Sequence, residues 1–161
     1  MRQAVKTGLI AGFVMMTLEL LVLVVPNGTA TSILQYGSRI VFIAAIYLGI
    51  KLTKEKELND TLSFKDGLKF GVLTAAIAGL LFSAYSFVAW THLDMDMYMT
   101  EMRNAGLTNS KIRIALSNLT ESNMLSGALF LAITNVIIGF FVSVVVTLLL
   151  RKTNNLLSPK I

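Results

Sequence analysis

Four long apolar runs constrain this chain more than anything else in it: residues 7–25, 32–52, 64–90 and 124–150. A bilayer's hydrocarbon core is about 30 Å thick, and an α-helix needs roughly 20 apolar residues to cross it. The runs hold 19, 21, 27 and 27 residues. Soluble domains average about 45–50% apolar and about 25% charged residues. This chain is 55% hydrophobic and 14% charged, with a mean hydropathy of +0.71, and nearly all its charge falls between the runs. The expected fold is therefore an all-α membrane protein: one domain, 1–161, with four transmembrane helices in two hairpins. Short amphipathic helices are expected in an extracytoplasmic loop, 91–123.

The first run ends at Pro26-Asn27-Gly28, a strong turn signal. Arg2 and Lys6 before it, and Gly28-Thr29-Ala30 after it, raise the question of a signal peptide. Its 19 apolar residues exceed the 7–15 of a signal core, and Glu19 interrupts it, so a retained helix is expected. In the second run, starting at Arg39 would leave 14 residues, only about 21 Å of helix. Arg39 is thus expected within the span or just beneath its outer edge. A charged connector, 53–66, follows, and Ser63 stands three residues before Asp66 as in a capping box. Trp90 closes the third run as an interfacial aromatic. The loop reads as two short helices broken at Gly106, with Thr108 as N-cap of the second. Met95, Met99 and Met102 share one helical face there, and Ile112, Leu116 and Leu119 another.

Lysine and arginine set the expected orientation. Arg2, Lys6, Lys51, Lys54, Lys56, Lys65, Lys69, Arg151, Lys152 and Lys160 fall on one side, and Arg39, Arg103, Lys111 and Arg113 on the other. Ten against four predicts that both termini are cytosolic. The pI near 9.6 reflects these anchors and not a basic patch interleaved with aromatics, so no nucleic-acid partner is expected. Expected partners are the lipid bilayer and either a second copy of the chain or another membrane protein. Without cysteine there is no disulfide, thiolate nucleophile or cysteine metal site. Lys6-Thr7-Gly8-Leu9-Ile10-Ala11-Gly12 matches Lys65-Asp66-Gly67-Leu68-Lys69-Phe70-Gly71 at four of seven positions. That is either a trace of parallel duplication or ordinary helix-entry chemistry.

Several of these segments together carry a family likeness: Lys6-x-Gly8-Leu9-x-x-Gly12, Leu48-Gly49-Ile50-Lys51, the stretch from Ser63 through Gly71, Glu101-Met102-x-x-x-Gly106, and Leu150-Arg151-Lys152. The chain resembles the bacterial membrane proteins of domain-of-unknown-function family 4199, found largely in Bacteroidetes. The resemblance implies four helices and an inner-membrane home, and supplies no reaction, ligand or catalytic residue.

Glu19 and Arg39 are the most informative residues for function. An ionisable side chain inside a membrane helix costs roughly 2.5–3.5 kcal/mol or more and by default suggests function. Glu19 is 13 residues beyond Lys6, and Arg39 is 12 residues before Lys51, which puts them about 20 Å and about 18 Å above their anchors. Antiparallel neighbours would bring them to one level as an ion pair locking the first hairpin. Two alternatives stand beside that one. Arg39 could snorkel outward while Glu19 stays protonated. Glu19 could also exchange a proton for a cationic substrate, since a glutamate in the first of four helices resembles the small multidrug-resistance transporters. Against that last likeness stand the longer chain, its 33-residue outer loop (91–123) and Arg39 as a competing partner.

A second candidate is a copper site made from His92, Asp94, Met95, Met97, Met99 and Met102, because thioethers select Cu(I). Against it, Met95, Met99 and Met102 alone form a packing stripe, and Met97 and Asp94 point elsewhere. His92 beside Trp90 suits headgroups better than a metal. Glu101 and Glu121 suggest no acid–base pair. Thr134, Asn135, Ser143 and Thr147 are expected to bond across helices. Gly8 with Gly12, Gly67 with Gly71, and Gly79 with Ser83 form small-xxx-small pairs suited to close helix contact. Asn27-Gly28-Thr29 and Asn118-Leu119-Thr120 are formal glycosylation sequons, without meaning in a bacterial protein. No phosphate loop, metal cluster or nucleophile–base set is present, so neither an enzyme nor a cofactor is expected. The expected role is a structural or accessory helical bundle, with proton-coupled transport and copper binding as the alternatives.

Overall fold

The computed structural model describes residues 1–24, 29–92, 94–104 and 106–157. The described residues form six helices and no strand: α1 (Arg2–Val24), α2 (Thr29–Glu57), α3 (Phe64–Thr91), α4 (Met95–Asn104), α5 (Asn109–Ser117) and α6 (Glu121–Leu157). Four of them, α1, α2, α3 and α6, are long and apolar enough to cross a membrane. The turn expected at Pro26-Asn27-Gly28 lies outside the described residues.

The helices outrun the apolar segments that specify them. α2 continues past Leu52 through Lys54 and Lys56, good helix formers whose charge suits a helix C-terminus. It stops where Asn59 (φ 47°) and Asp60 (φ 63°) turn left-handed, and the Asp60 N–H donates back to the Lys54 carbonyl at 3.1 Å. α3 begins as expected. Ser63 is its N-cap, and its hydroxyl oxygen accepts the Asp66 N–H at 3.0 Å. The Asp66 carboxylate in turn accepts the Ser63 hydroxyl at 2.5 Å, where a capping box would have it accept the Ser63 N–H. α6 starts three residues earlier than the apolar run, with Glu121 in the first turn, where a negative charge is favourable.

α2 and α3 occupy the centre of the bundle. Each touches α1 and α6, and they touch one another, whereas α1 and α6 do not meet among the described residues. The main core gathers Met15, Phe42, Ile46, Ile50, Ala75, Ala78 and Val146 from all four long helices. Large apolar side chains such as Phe13, Ile40, Phe130 and Phe141, each at least 60% exposed, cover the outside. In water such a surface would aggregate; in lipid it is solvated.

At the end that carries Lys6, Lys51, Lys65, Lys69 and Arg151, called here the basic end, the packing is tight. A Cβ on Gly67 would run into Thr147, and one on Gly71 into Ser143 and Ile50. Ser143 and Thr147 are fully buried. Thr74, also fully buried, donates its hydroxyl toward the Phe70 carbonyl (2.9 Å) and the Ala4 carbonyl of α1 (3.2 Å). Gln3 of α1 donates its N–H to the Glu57 carboxylate of α2 at 2.8 Å, and the Met1 ammonium pairs with the same carboxylate.

At the opposite end, α4 and α5 pack on each other, and neither packs its backbone against a long helix among the described residues. Gly106 (φ 79°) makes the turn between them, in a conformation that glycine tolerates best. Met102 and Ile112 are buried there, with Leu116 and Leu119 half-buried. Thr108 is the α5 N-cap by position, but its side chain makes no capping bond and lies 3.1 Å from the Ser110 hydroxyl.

Candidate functional site

The half of the bundle away from the basic end is hollow. A cavity of about 700 Å³ is walled by Met15 and Glu19 of α1, Gln35, Ser38, Arg39, Phe42 and Ile43 of α2, Phe82 of α3, and Leu131, Thr134, Asn135 and Ile138 of α6. Its residues sit at one level. Glu19, Arg39, Phe82 and Asn135 lie 13, 12, 13 and 16 residues from Lys6, Lys51, Lys69 and Arg151, about 18–24 Å along their helices. Four helices therefore converge on one chamber, whose walls mix polar and apolar side chains.

Glu19 and Arg39 both face this chamber, as their matched depth predicts. Arg39 acts electrostatically on Glu19 across it, yet no nitrogen–oxygen separation of 4.0 Å or less joins these two described residues. Glu19 also acts on Tyr85 of α3. The pair shares a site and leaves a gap between its charges. Arg39 and Gln35 are exposed, whereas Ser38 is buried and donates its hydroxyl to the Gln35 carbonyl at 3.0 Å.

Asn135 adds a third polar group. Its Cβ fills the space left by Gly79, where an added Cβ would come within 2.8 Å of it. Its Nδ2 is buried without a hydrogen-bond partner, as is the Ser83 hydroxyl. Buried amides are normally satisfied, and this one lies on the Gly79 side of α6, closed off from the cavity.

The remaining sequence-predicted residues fall elsewhere. Gly8 and Gly12 press on α3, where an added Cβ would come within 2.9 Å of the Thr74 carbonyl and 2.8 Å of Leu81 respectively. The cross-helix bonds expected of the α6 hydroxyls do not form as expected. Ser143 donates to the Gly139 carbonyl of its own helix, and the Thr147 hydroxyl has no partner. Both face glycine positions on α3, which offer no side-chain acceptor. His92 is the exposed C-cap of α3, and the Asp94 carboxylate accepts the Asp96 N–H at 3.0 Å. Met95 is exposed, Met99 half-buried and Met102 buried, so the described thioethers are split between surface and interior. The side chains of Met97 and Glu101 lie outside what the structure describes. Among the described residues no group of three or more His, Asp or Glu is placed to hold a metal. A smaller cavity of about 360 Å³ beside Trp90, Tyr98 and Asn123 has no acidic or basic residue in its walls.

Sequence reasoning did not single out Gln35, Ser38 or Phe42. Their signal was present, since positions 35, 38, 39 and 42 follow the i, i+3, i+4, i+7 spacing of one helix face. No curated protein and no solved structure matches the chain. The family comparison does, over residues 6–152, a range that takes in every wall of the chamber and most of each of the four long helices: the chain belongs to the family described as protein of unknown function DUF4199.

Proposed function

We propose that this protein is a non-enzymatic, multi-pass protein of the bacterial inner (cytoplasmic) membrane that takes a molecule with a charged or polar group into the chamber between its helices. In this reading both termini are cytosolic, because the basic end carries most of the lysine and arginine. The four long helices form two hairpins, α1–α2 and α3–α6. α4 and α5 are amphipathic pieces lying at the outer surface.

One observation carries the reading: the chamber holds an acid and a base at one depth without closing them onto each other. Protein interiors pack to crystal-like density, and a purely structural bundle gains nothing from a charged void. Ligand pockets commonly run to about 300–1,000 Å³, the range of this cavity. Glu19, not locked in a contact pair, is free to exchange a proton for a positively charged group, the chemistry of a small proton-coupled transporter. The test is proton release from the purified protein on adding an organic cation. Release in the wild type and none in Glu19→Gln is the expected result; no release from either removes proton exchange from the reading.

The accessory-bundle reading has its own support in the α4–α5 pair, whose backbone does not pack on the long helices among the described residues and which offers itself to a partner membrane protein or a second copy. A partner recovered in fixed stoichiometry under mild detergent, and lost when residues 94–117 are replaced by a short linker, would favour it.

A further inference from the structure

The way the chamber opens narrows what it can hold. Ile43 of α2 and Ile138 of α6 both line it, and both are exposed, at 48% and 45%. The chamber therefore reaches the apolar flank of the bundle at these two isoleucines, beside the exposed Gln35 and Arg39. A ligand entering there can leave a hydrocarbon tail in lipid while its head lies inside. The head meets two opposite charges on neighbouring helices, Glu19 from α1 and Arg39 from α2, which form no ion pair with each other. An anion alone would satisfy Arg39 and be repelled by Glu19; a cation alone would do the reverse. A head that carries both charges satisfies both walls and keeps the occupied chamber neutral.

From this geometry we infer that the chamber binds a zwitterionic amphiphile, such as a phospholipid with a phosphate and an ammonium in its head. The anionic group lies against Arg39, the cationic group against Glu19, and the tail leaves between Ile43 and Ile138. This inference rests on the proposed ligand-binding role and specifies the ligand class.

The test ranks probes on the purified full-length protein by native mass spectrometry and by thermal shift. The probes are lysophosphatidylethanolamine, lysophosphatidylglycerol, an alkyltrimethylammonium of equal chain length, and free phosphoethanolamine. The zwitterionic lysolipid should bind at least tenfold tighter than each of the others. Glu19→Gln and Arg39→Gln should each remove that preference, while Phe141→Ala, on the exposed face of α6, should leave it intact. The ranking on the wild-type protein needs no variant, so a misfolded mutant does not spoil it. Equal binding of free phosphoethanolamine would overturn the tail assignment. Equal or better binding of the cationic amphiphile, abolished only by Glu19→Gln, would overturn the zwitterion while sparing the ligand-binding role. No binding by any probe would overturn both.

Discussion

The two halves of this bundle are built from the same four helices and are packed by opposite rules. Toward the basic end, Gly49, Gly67 and Gly71 face the side chains of Thr74, Thr147 and Ser143, and all three of those side chains are fully buried. Toward the loop end, long polar side chains line a cavity of about 700 Å³. Lipid tails are as apolar as leucine, so helices in a membrane associate through close contact and not through exclusion of water. A bundle that must keep a chamber open in one half needs firm contact in the other. The small residues supply it, leaving Glu19 and Arg39 apart while the chain still holds together.

The contrast breaks most sharply at glycine. Gly71→Val should cost about 3 kcal/mol, the upper end of ordinary overpacking, because its new Cβ meets Ser143 and Ile50. Melting of the detergent-purified protein, or loss of monodisperse yield, reads this out. An unchanged melt would mean the basic half is as loose as the chamber half. Asn135→Leu should act in the opposite direction, raising stability by about 1–2 kcal/mol by removing an unsatisfied buried amide and filling space. A melting temperature that falls would show that the amide is satisfied in the working protein.

How much of this was legible beforehand depends on length scale. Run length and flanking charge announced four membrane helices, because crossing a bilayer leaves few other options. Ser63 announced the start of α3, and the matched depths of Glu19 and Arg39 placed both on one chamber. The chamber itself was not legible. Whether two charges at one level close into a pair depends on helix rotation and splay, which matched depth does not determine. The fate of Ser143 and Thr147 was equally hidden, since a hydroxyl that faces a glycine in place of an acceptor turns to its own helix or goes without. Gly49 and Gly139 were not singled out, although Ala45-x-x-x-Gly49 and Gly139-x-x-x-Ser143 have the same small-xxx-small spacing, and each accepts a side chain of α3, Thr74 and Ala75 respectively.

The smaller effects refine the contrast. Thr74→Val keeps the shape and removes the hydroxyl that reaches the Ala4 carbonyl. The expected loss is about 0.6 kcal/mol, the average for a hydrogen bond between membrane helices. A melt shifted by several times that amount would mean that hydrogen bonding, and not close contact, holds α1 to α3.

The smallest effect is expected at Gly37, in the chamber half. A Cβ there would find only the Leu18 Cδ1, 3.9 Å away, an ordinary van der Waals contact. Gly37→Ala therefore meets no clash, and alanine's better helix propensity can contribute at most about 1 kcal/mol. The predicted melt is unchanged or slightly raised, beside the collapse expected for Gly71→Val. If Gly37→Ala instead destabilises the protein strongly, the helices must close around the chamber more tightly than they stand here. Its volume would then belong to an open state that alternates with a closed one, and the two halves would differ in motion as well as in packing.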